Sequence, residues 1–350
     1  MVSVPEGNPQ KQNCVRCVLP AGFPGIAFDS AGLCNYCRDF EDKMRKNNDP
    51  RSGRNIHKKK FLREFLRLAG ELKNPDRPYD VLLAYSGGKD STYTMHLLKN
   101  GYRLRPLAVT FDNGFLPEAT RENIARLTRR LGVDHTIFKP NWGLLRRIFR
   151  ASAKEDLYTR KSLERASTVC TSCMALVKAF CLKTAIEKGI PMIAYGWTPW
   201  QAPLQSSIFR NNAALAEAWQ DAILKPMIKA VGCEVKSLFL DETYFSSAGS
   251  FPYNVHPMAW EPYDEGKILR EIRKLGWIAP ADTDPNSTNC LLNAFAVHSH
   301  LKRHGFHPYS WEVAGMVRAG VMSREQGLAK LAEPATAGQA DYARRLLGEP

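Results

Sequence analysis

The sequence predicts an α/β protein in which helices flank a parallel sheet, and three patterns lead to this prediction. Asp80 to Tyr85 is a short apolar run that breaks abruptly into two adjacent glycines and then a helical pattern, as expected for a buried parallel strand followed by a helix. Leu104 to Phe111 and Asp134 to Phe138 repeat the strand pattern, with the amphipathic helical stretch Ala119 to Leu131 between them. Cysteine pairs near the N-terminus and a mainly helical C-terminal region complete the predicted architecture.

The first candidate site is the segment Ser86-Gly-Gly-Lys-Asp-Ser91, between the first strand and its helix. Two adjacent glycines let successive backbone N–H groups point at one spot, and the helix N-terminus adds partial positive charge there. Lys89 supplies a full charge, and Ser86 and Ser91 can donate hydroxyl hydrogen bonds. We therefore predict a phosphate site. The alternative is a Gly-Gly turn that only joins strand to helix.

This segment is not the Walker A loop, which has four residues between its first glycine and Gly-Lys. It resembles the loop of the PP-loop ATP pyrophosphatases, also called the adenine nucleotide alpha-hydrolase-like superfamily, which has a HUP-like sheet. The resemblance implies that ATP binds here with Mg²⁺ bridging its phosphates, and that AMP is transferred to a substrate oxygen. It assigns ATP binding to Ser86, Gly87, Gly88, Lys89, Asp90 and Ser91, with Lys89 and Asp90 also catalytic.

Two later strand ends extend the candidate nucleotide site. Asp112 follows the second strand, and strand C-termini in open α/β sheets face the ligand crevice. The resemblance makes Asp112 a contact to the ribose or adenine side, and an acidic turn residue is the equal alternative. A further strand, Gly189 to Tyr195, opens into a loop in which the resemblance makes Gly196, Thr198 and Gln201 nucleotide-site candidates.

Four cysteines near the N-terminus form the second candidate site. They form two CxxC pairs, Cys14/Cys17 and Cys34/Cys37, separated by sixteen residues. Paired CxxC turns let four thiolates converge tetrahedrally, so we predict a structural zinc site, with a redox dithiol or inert thiols as alternatives. The segment also resembles the entry module of N-acetyl-sugar amidotransferases of surface-polysaccharide biosynthesis.

The third candidate site combines a CxxC pair, Cys170 and Cys173, with the distant Cys290. This set resembles that of ATP-dependent tRNA thiolases, in which three such cysteines hold a 4Fe–4S cluster and the fourth iron stays open for a sulfide. Thiolates are the usual ligands of such clusters. A catalytic persulfide or disulfide pair, a second zinc and ordinary buried cysteines stay open. Cys181 and Cys233 are expected to be core cysteines.

These sites predict an enzyme that adenylates a carbonyl oxygen with ATP and then replaces it. Sulfur insertion into a nucleobase, tRNA or other small molecule is the first hypothesis. The alternative is an amidotransferase that makes an acetamidino sugar with ammonia from a partner glutaminase. A non-catalytic nucleotide-binding subunit is a third hypothesis, and the intact phosphate loop argues against it.

Charge and composition limit the partners. A net charge of +14 suits an anionic partner such as ATP, while tRNA is not favoured because no RNA-binding module is recognised. A sulfur-donor protein or a glutaminase is an expected partner, and a homodimer stays open. No apolar run approaches the ~20 residues of a membrane span. Met1 to Gln12 is polar rather than signal-like, so we expect a cytoplasmic location and no membrane partner.

The predicted domain organisation has four parts. Residues 1–42 form the zinc module, 43–78 a basic linker and helix, 79–205 the PP-loop ATP-binding domain, and 206–350 a mainly helical region that completes the active site. Within these parts, 43–60 is expected to be linker and 246–258 a loop. Residues 144–163 and 211–231 are expected to be helical, the second helix with a kink or a break at Pro226. Tyr253, His256 and Trp260 either face a substrate or pack, and packing is the favoured interpretation.

Overall fold

The computed structural model describes residues 13–46, 52–201, 204–247, 251–283, 286–332 and 337–349. The predicted polar start, Met1 to Gln12, lies outside these ranges. The strands are β1 Val81–Ala84, β2 Pro106–Phe111, β3 Asp134–Phe138, β4 Met192–Tyr195, β5 Ile208–Arg210 and β6 Tyr253–Val255. The helices up to β4 are α1 Asn35–Lys46, α2 Ser52–Leu72, α3 Lys89–His96, α4 Glu118–Leu131, α5 Trp142–Lys154, α6 Arg160–Leu163 and α7 Thr168–Glu187. After β4 come α8 Ala213–Val231, α9 Glu242–Ser247, α10 Glu265–Lys274, α11 Leu292–His304, α12 Ser310–Arg318, α13 Arg324–Ala332 and α14 Ala337–Leu347.

The strands form one six-stranded sheet in the order β3-β2-β1-β4-β6-β5. All neighbouring pairs are parallel except β5, which pairs antiparallel with β6. The chain moves outward from β1 to β2 and β3, then returns to place β4 on the other side of β1. This reversal is a topological switch point, and a crevice opens there beyond the carboxyl ends of β1 and β4.

Alternating side chains of the central strands fill a core on each face of the sheet. On β1, Leu82 packs into one cluster with helices α5 and α7, while Val81 and Leu83 pack into the other with α2 and α10. Burial on both faces explains why β1 is a continuous apolar run rather than an alternating one. The predicted fold class, an α/β sheet flanked by helices with a mainly helical C-terminal region, is confirmed.

Two strands were missed by sequence analysis. The segment 246–258 was expected to be a loop, but it contains β6, whose Met192–Tyr253 and Ala194–Val255 register extends the sheet beyond β4. With three residues each, β5 and β6 are too short for an alternating pattern to distinguish them from a loop.

Three element predictions need correction. The expected linker at 43–60 is helical over its described residues, in the end of α1 and the start of α2. Helix α8 continues through Pro226 instead of breaking there. The stretch 144–163 is divided into α5 and the short α6, because Glu155 takes an extended conformation and ends the first helix.

Helix α7 contradicts the expectation that no segment approaches membrane-spanning length. It has 20 residues, and an 18-residue window within it has a mean hydropathy of 1.6, enough in length and composition to cross a membrane. Half of that span is buried inside the protein, where Val169, Leu176 and Ala179 enter the sheet core. Its apolar character is therefore accounted for by its position as a core helix.

Candidate functional site

The phosphate loop lies at the switch point of the sheet. It follows β1 at Ser86 and enters α3, which begins at Lys89 with Gly88 in an extended conformation before it. Gly87 has a φ of +75°, and a Cβ at this position would lie 2.7 Å from the Ile124 side chain. Only glycine fits this left-handed position against α4.

The hydroxyls of the loop hold its shape. The Oγ atoms of Ser86 and Ser91 lie 3.0 Å apart, and Ser91 Oγ donates to the Gly88 carbonyl at 3.2 Å. The backbone N–H of Lys89 donates to Thr288 Oγ1 at 3.1 Å. One of the backbone N–H groups predicted to bind phosphate is thus hydrogen-bonded, in this structure, to a hydroxyl from a segment distant in sequence.

Lys89 is the centre of a charged cluster beside the loop. Its Nζ lies 3.0 Å from each carboxylate oxygen of Asp90, 3.2 Å from the Tyr263 hydroxyl and 3.3 Å from Glu265 Oε1. Burial by itself would lower the pKa of Lys89, but Asp90, Tyr263 and Glu265 outweigh burial and raise it. Burial raises the pKa of Asp90, against the effect of Lys89. Lys89 is therefore a fixed cation at neutral pH.

A cavity of about 360 Å³ opens in front of the loop. The structure brings most of the sequence-predicted residues to its walls: Ser86, Gly88, Lys89, Asp90, Ser91, Cys170, Cys173, Gly196, Thr198, Gln201 and Cys290. Two predicted residues do not line it, Gly87 and Asp112. Gly87 instead supports the bend of the loop, and its carbonyl accepts a hydrogen bond from Trp277 at 3.1 Å.

Asp112 is placed as a turn residue. Its Oδ1 accepts from the Gly114 N–H at 2.9 Å, and its Oδ2 pairs with Arg121 at 3.0 Å. Asp112 is 2% exposed. This is the acidic-turn alternative considered for the sequence, and the carboxylate is already occupied by partners within the protein.

The loop after β4 closes the opposite wall. A Cβ on Gly196 would lie 2.7 Å from Ser91 Cα and 2.8 Å from Ser91 N, so the two backbones touch. Thr198 Oγ1 donates to Glu312 at 2.7 Å, and Gln201 donates to the same carboxylate at 3.0 Å. Glu312 comes from α12, so a C-terminal helix contributes to the wall.

Two cysteines of the second set, Cys173 and Cys290, share the side chain of Asn113. Its Nδ2 donates to Cys173 Sγ and to Cys290 Sγ, each at 3.5 Å. Cys170 lies one helical turn before Cys173 on α7, and its Sγ lies 3.8 Å from Asn293 Oδ1. Burial raises the pKa of Cys173, with Cys290 adding to the effect, and burial also raises the pKa of Cys290. Helix α7 and the turn before α11 thus place the three thiols on the wall of one cavity.

The remaining single cysteines differ from each other. Cys181 is buried at 1% exposure in the sheet core, as predicted. Cys233 is exposed, so its assignment as a core cysteine is wrong. It follows α8 in a short 3₁₀ segment, a position that composition alone does not reveal.

The N-terminal cysteines form a metal-binding group. The ligand sulfurs of Cys14, Cys17, Cys34 and Cys37 all lie within 4.8 Å of one another, and all four residues are buried. The Cys14–Cys37 and Cys17–Cys34 sulfur distances are both 3.8 Å. Four sulfurs bound tetrahedrally at about 2.3 Å from one ion would lie roughly 3.8 Å apart. Hydrogen bonds from Cys34 and Cys37 lower the pKa of Cys17, and hydrogen bonds with Cys17 and Cys34 raise the pKa of Cys37.

This module packs against the C-terminal helices. Phe23 stacks on Trp311 of α12 with centroids 5.9 Å apart, and a Cβ on Gly327 of α13 would lie 2.9 Å from Val18. Arg324 donates to the carbonyls of Cys14 and Cys17 at 3.0 and 3.2 Å. The two ends of the chain thus form one unit beside the cavity.

Several residues of the site were missed by sequence analysis. They are Asn113, Tyr263, Glu265, Thr288, Asn289 and Glu312. Asn113 had a signal, since it adjoins Asp112 at a strand end, and the polar run before Cys290 pointed to Thr288 and Asn289. Tyr263, Glu265 and Glu312 reach the site through tertiary packing, and no sequence signal pointed to them.

Comparisons with known proteins agree with this geometry at the level of the domain. Residues 80–195 match the family described as the phosphoadenosine phosphosulfate reductase domain. An uncharacterised protein of Methanocaldococcus jannaschii is 25% identical over 275 residues, which cover 79% of this chain and 80% of that protein.

Two solved structures are also similar at low scores. A tRNA thiolase, NcsA of Methanococcus maripaludis with its 4Fe–4S cluster, is 16% identical with a TM-score of 0.33, covering 89% of this chain and 88% of that one. A predicted tRNA methyltransferase subunit of Methanocaldococcus jannaschii is 15% identical with a TM-score of 0.30, covering 66% and 91%. Both scores are too low to support an inference. Residues 80–195, which carry the loop at the switch point, are therefore similar to a phosphoadenosine phosphosulfate reductase domain.

Proposed function

We propose that this protein uses ATP to adenylate a carbonyl oxygen of a small molecule or nucleobase, releases pyrophosphate, and replaces the activated oxygen with sulfur. One observation carries the proposal: the phosphate loop and the three cysteines Cys170, Cys173 and Cys290 border the same cavity. An oxygen activated by AMP at the loop would therefore lie close to the thiols.

The loop supplies the electrostatics of the first half of the reaction. As the α–β bond of ATP breaks, negative charge builds on the leaving pyrophosphate. The ammonium of Lys89, the N-terminus of α3 and the hydroxyls of Ser86 and Ser91 are positioned to stabilise that charge. A phosphate oxygen would replace Thr288 Oγ1 as the acceptor of the Lys89 N–H. Mg²⁺ bridging the phosphates belongs to the same proposal.

The cysteines would serve the second half. Thiols are soft ligands of the kind that iron–sulfur clusters use, and Cys170, Cys173 and Cys290 border one cavity, where they would hold three irons of a 4Fe–4S cluster. When bound, such a cluster supplies an open iron position for the incoming sulfide. Asn113 orients two of the sulfurs, and the Ser167 cap of α7 fixes the backbone of Cys170 at 3.1 Å.

The other predicted ligands and partners belong to the proposal as well. Zinc at Cys14, Cys17, Cys34 and Cys37 is supported by the tetrahedral sulfur spacing. We propose a cytoplasmic location, where a reducing environment keeps the nine cysteines as thiols. A sulfur-donor protein is the expected partner. A partner glutaminase would take its place if ammonia is the nucleophile.

The test separates the two halves with single substitutions. Protein purified without oxygen is incubated with Mg·ATP, sulfide and candidate acceptors, and AMP, iron content and thiolated product are measured. We expect Lys89→Ala to abolish AMP formation. We expect Cys290→Ala to lose iron and thiolated product while AMP formation persists, and Cys233→Ser, at the exposed cysteine, to match the wild type.

Each contrary result has a defined meaning. Iron-free wild-type protein that forms AMP only with ammonium or a glutaminase would replace sulfur insertion by amidation. Unchanged AMP formation in Lys89→Ala would overturn the assignment of the loop as the ATP site.

A further inference from the structure

A second cavity, of about 570 Å³, adjoins the loop cavity. The two cavities share Cys170, Lys178, Trp197, Gln201, Asn293 and Glu312 among their walls. Its own walls are rich in indoles, with Trp200, Trp219 and Trp311 added to Trp197. We call it the aromatic cavity. Its volume falls within the range of small-molecule binding sites.

One face of helix α7 forms the floor of the aromatic cavity. Cys170, Met174, Lys178 and Leu182 are spaced four residues apart, so they lie along a single face, and all four line the cavity. Eight residues of helix separate Cys170 from Lys178, or about 12 Å along the axis at 1.5 Å per residue. The floor thus has Cys170 at one end, with Lys178 about two helical turns further along.

The ammonium group of Lys178 lies over the indole rings of two tryptophans. Its Nζ lies 4.6 Å from the ring centroid of Trp197 and 6.0 Å from that of Trp219. Among the residues that the structure describes, no carboxylate lies within the 4.0 Å of an ion pair. Burial lowers the pKa of Lys178 to about 8. A cation enclosed without a counter-ion favours an anionic ligand.

His256 adds a polar group to the same wall. It is 3% exposed and stacks on Trp197, with centroids 4.8 Å apart and 10° between the ring planes. Its Nδ1 is buried and has no hydrogen-bond partner among the described residues. Burial, with Lys178 adding to the effect, lowers the pKa of His256 to about 3, so the ring is neutral. The sequence predicted that His256 packs, and packing leaves Nδ1 for a ligand to satisfy.

Trp219 is the side chain of the aromatic cavity on which a flat ring of a ligand can stack. The Trp197 indole already carries His256 on one face, whereas no aromatic ring of the described chain lies against Trp219. An aromatic ring stacked on an indole gains about 0.5–1.5 kcal/mol beyond its buried area. A molecule that reaches from Lys178 to the cysteines must be of the order of 10 Å long.

We propose that the aromatic cavity is the acceptor site, taking a small anion with a flat conjugated ring, about the size of a mononucleotide. Its anionic group pairs with Lys178, its ring stacks on Trp219, and its far end reaches towards Cys170 and the phosphate loop. This assignment rests on the proposed function, because it supplies the molecule whose oxygen is adenylated.

Intrinsic tryptophan fluorescence tests the assignment on the whole chain. UMP, CMP, AMP and GMP are each titrated beside their uncharged nucleosides. We expect at least one of UMP, CMP and GMP, whose bases carry a carbonyl oxygen, to quench saturably and to bind at least tenfold more tightly than its nucleoside. Lys178→Met should bring the two affinities within about twofold, and Trp219→Leu should weaken both at least tenfold. Lys183→Met is the matched control, since Lys183 lies on the same helix over the Tyr244 ring and lines neither cavity.

Lys89→Ala separates this inference from the proposed function. The variant should keep nucleotide quenching, with its Lys178 dependence, and lose AMP formation. If quenching is lost in Lys89→Ala, the nucleotide sits on the phosphate loop and the assignment is overturned while the ATP reaction stands. A nucleotide preference that persists in Lys178→Met, or no preference for UMP, CMP or GMP over its nucleoside, also overturns it. If quenching behaves as expected but the wild type forms no AMP, the proposed function fails and the cavity remains an anion site.

Discussion

Asp80 shows how one carboxylate joins two strands of the sheet. It precedes β1, is 3% exposed, and accepts from Arg105 before β2 through Nε at 3.0 Å, Nη2 at 2.7 Å and the backbone N–H at 2.8 Å. Burial would raise the pKa of Asp80, but the hydrogen bonds and charge of Arg105 prevail and lower it. The pair ties the starts of β1 and β2 together beneath the phosphate loop.

We predict that Asp80→Asn lowers the free energy of unfolding by about 1–2 kcal/mol at pH 7, allowing for the partial exposure of Arg105. Because the folded pKa is lowered, the contribution of the carboxylate is present above its unfolded pKa of about 3.9 and is lost as pH falls through the folded value. Urea unfolding should thus show a difference that persists from pH 7 to about pH 4 and shrinks below it. Asp221→Asn, in an exposed pair with Lys225, should change stability by less than about 0.5 kcal/mol. A difference that grows as the pH falls would contradict the account.

Gly196 tests the contact between the two walls of the loop cavity. A Cβ there meets the Ser91 backbone, which cannot rotate away as a side chain could. We predict that Gly196→Ala weakens ATP binding at least tenfold in calorimetry, since the loop must shift. Gly70→Ala is the control, because Gly70 lies in α2 with nothing within 4 Å of its Cβ position. The control should bind ATP normally and gain up to about 1 kcal/mol of stability. Equal ATP affinity in both variants would remove Gly196 from the site.

At the scale of elements, the N-terminal four-cysteine module packs against helices α12 and α13 and holds them to the N-terminal part of the chain. Its sulfurs lie in one hydrophobic cluster with Phe306, Val313 and Ala314. Glu312 of α12 reaches the cavity wall, so the module supports the site through that helix.

We predict that Cys17→Ser releases one equivalent of metal and raises amide hydrogen exchange in α12 and α13, because four protein thiolates hold the ion and the module packs on both helices. Metal analysis and exchange mass spectrometry measure the two effects. Cys233→Ser should retain the metal, since Cys233 is exposed and distant in sequence from the module. Full metal content in Cys17→Ser would show that the ion is held elsewhere. Zinc is the metal we expect.

The segment 286–290 links the phosphate loop to the cysteines. Thr288 Oγ1 accepts from the Lys89 N–H at 3.1 Å, Asn289 Oδ1 would lie 2.9 Å from a Cβ on Gly88, and Cys290 follows directly. A nucleotide on the loop therefore contacts the segment that carries Cys290.

In protein from which iron has been removed, we predict that Mg·ATP slows alkylation of Cys290 by iodoacetamide at least fivefold, since nucleotide and thiol share one cavity. Peptide mass spectrometry measures the rate, and Cys233 serves as the internal reference. Lys89→Ala should remove the protection. Protection of Cys290 that is unchanged in this variant would mean that ATP acts from another site.

At the scale of the whole molecule, the sheet order explains why three distant segments meet. The reversal between β1 and β4 opens the crevice, the phosphate loop lies at the end of β1, and the Gly196 loop lies at the end of β4. The second cysteine set reaches the same crevice from α7 and from the turn before α11.

Local patterns predicted the central strands and the cysteine sets, because buried parallel strands and CxxC pairs are encoded within a few residues. β1 to β4 and the cluster at Cys14 to Cys37 accordingly match the sequence analysis. Contacts over long separations were not predictable. Thr288 meets Lys89 across 199 residues, and Glu312 meets Thr198 across 114, through packing that no local pattern records.

We propose that the Ser86 to Ser91 loop binds ATP for cleavage between its α and β phosphates. Phosphorus NMR of the products formed from Mg·ATP measures this directly, with or without an added acceptor, since slow transfer to water yields the same pair. The account predicts AMP and pyrophosphate from the wild type and neither from Lys89→Ala. ADP and inorganic phosphate, or the same products at the same rate from Lys89→Ala, would contradict it.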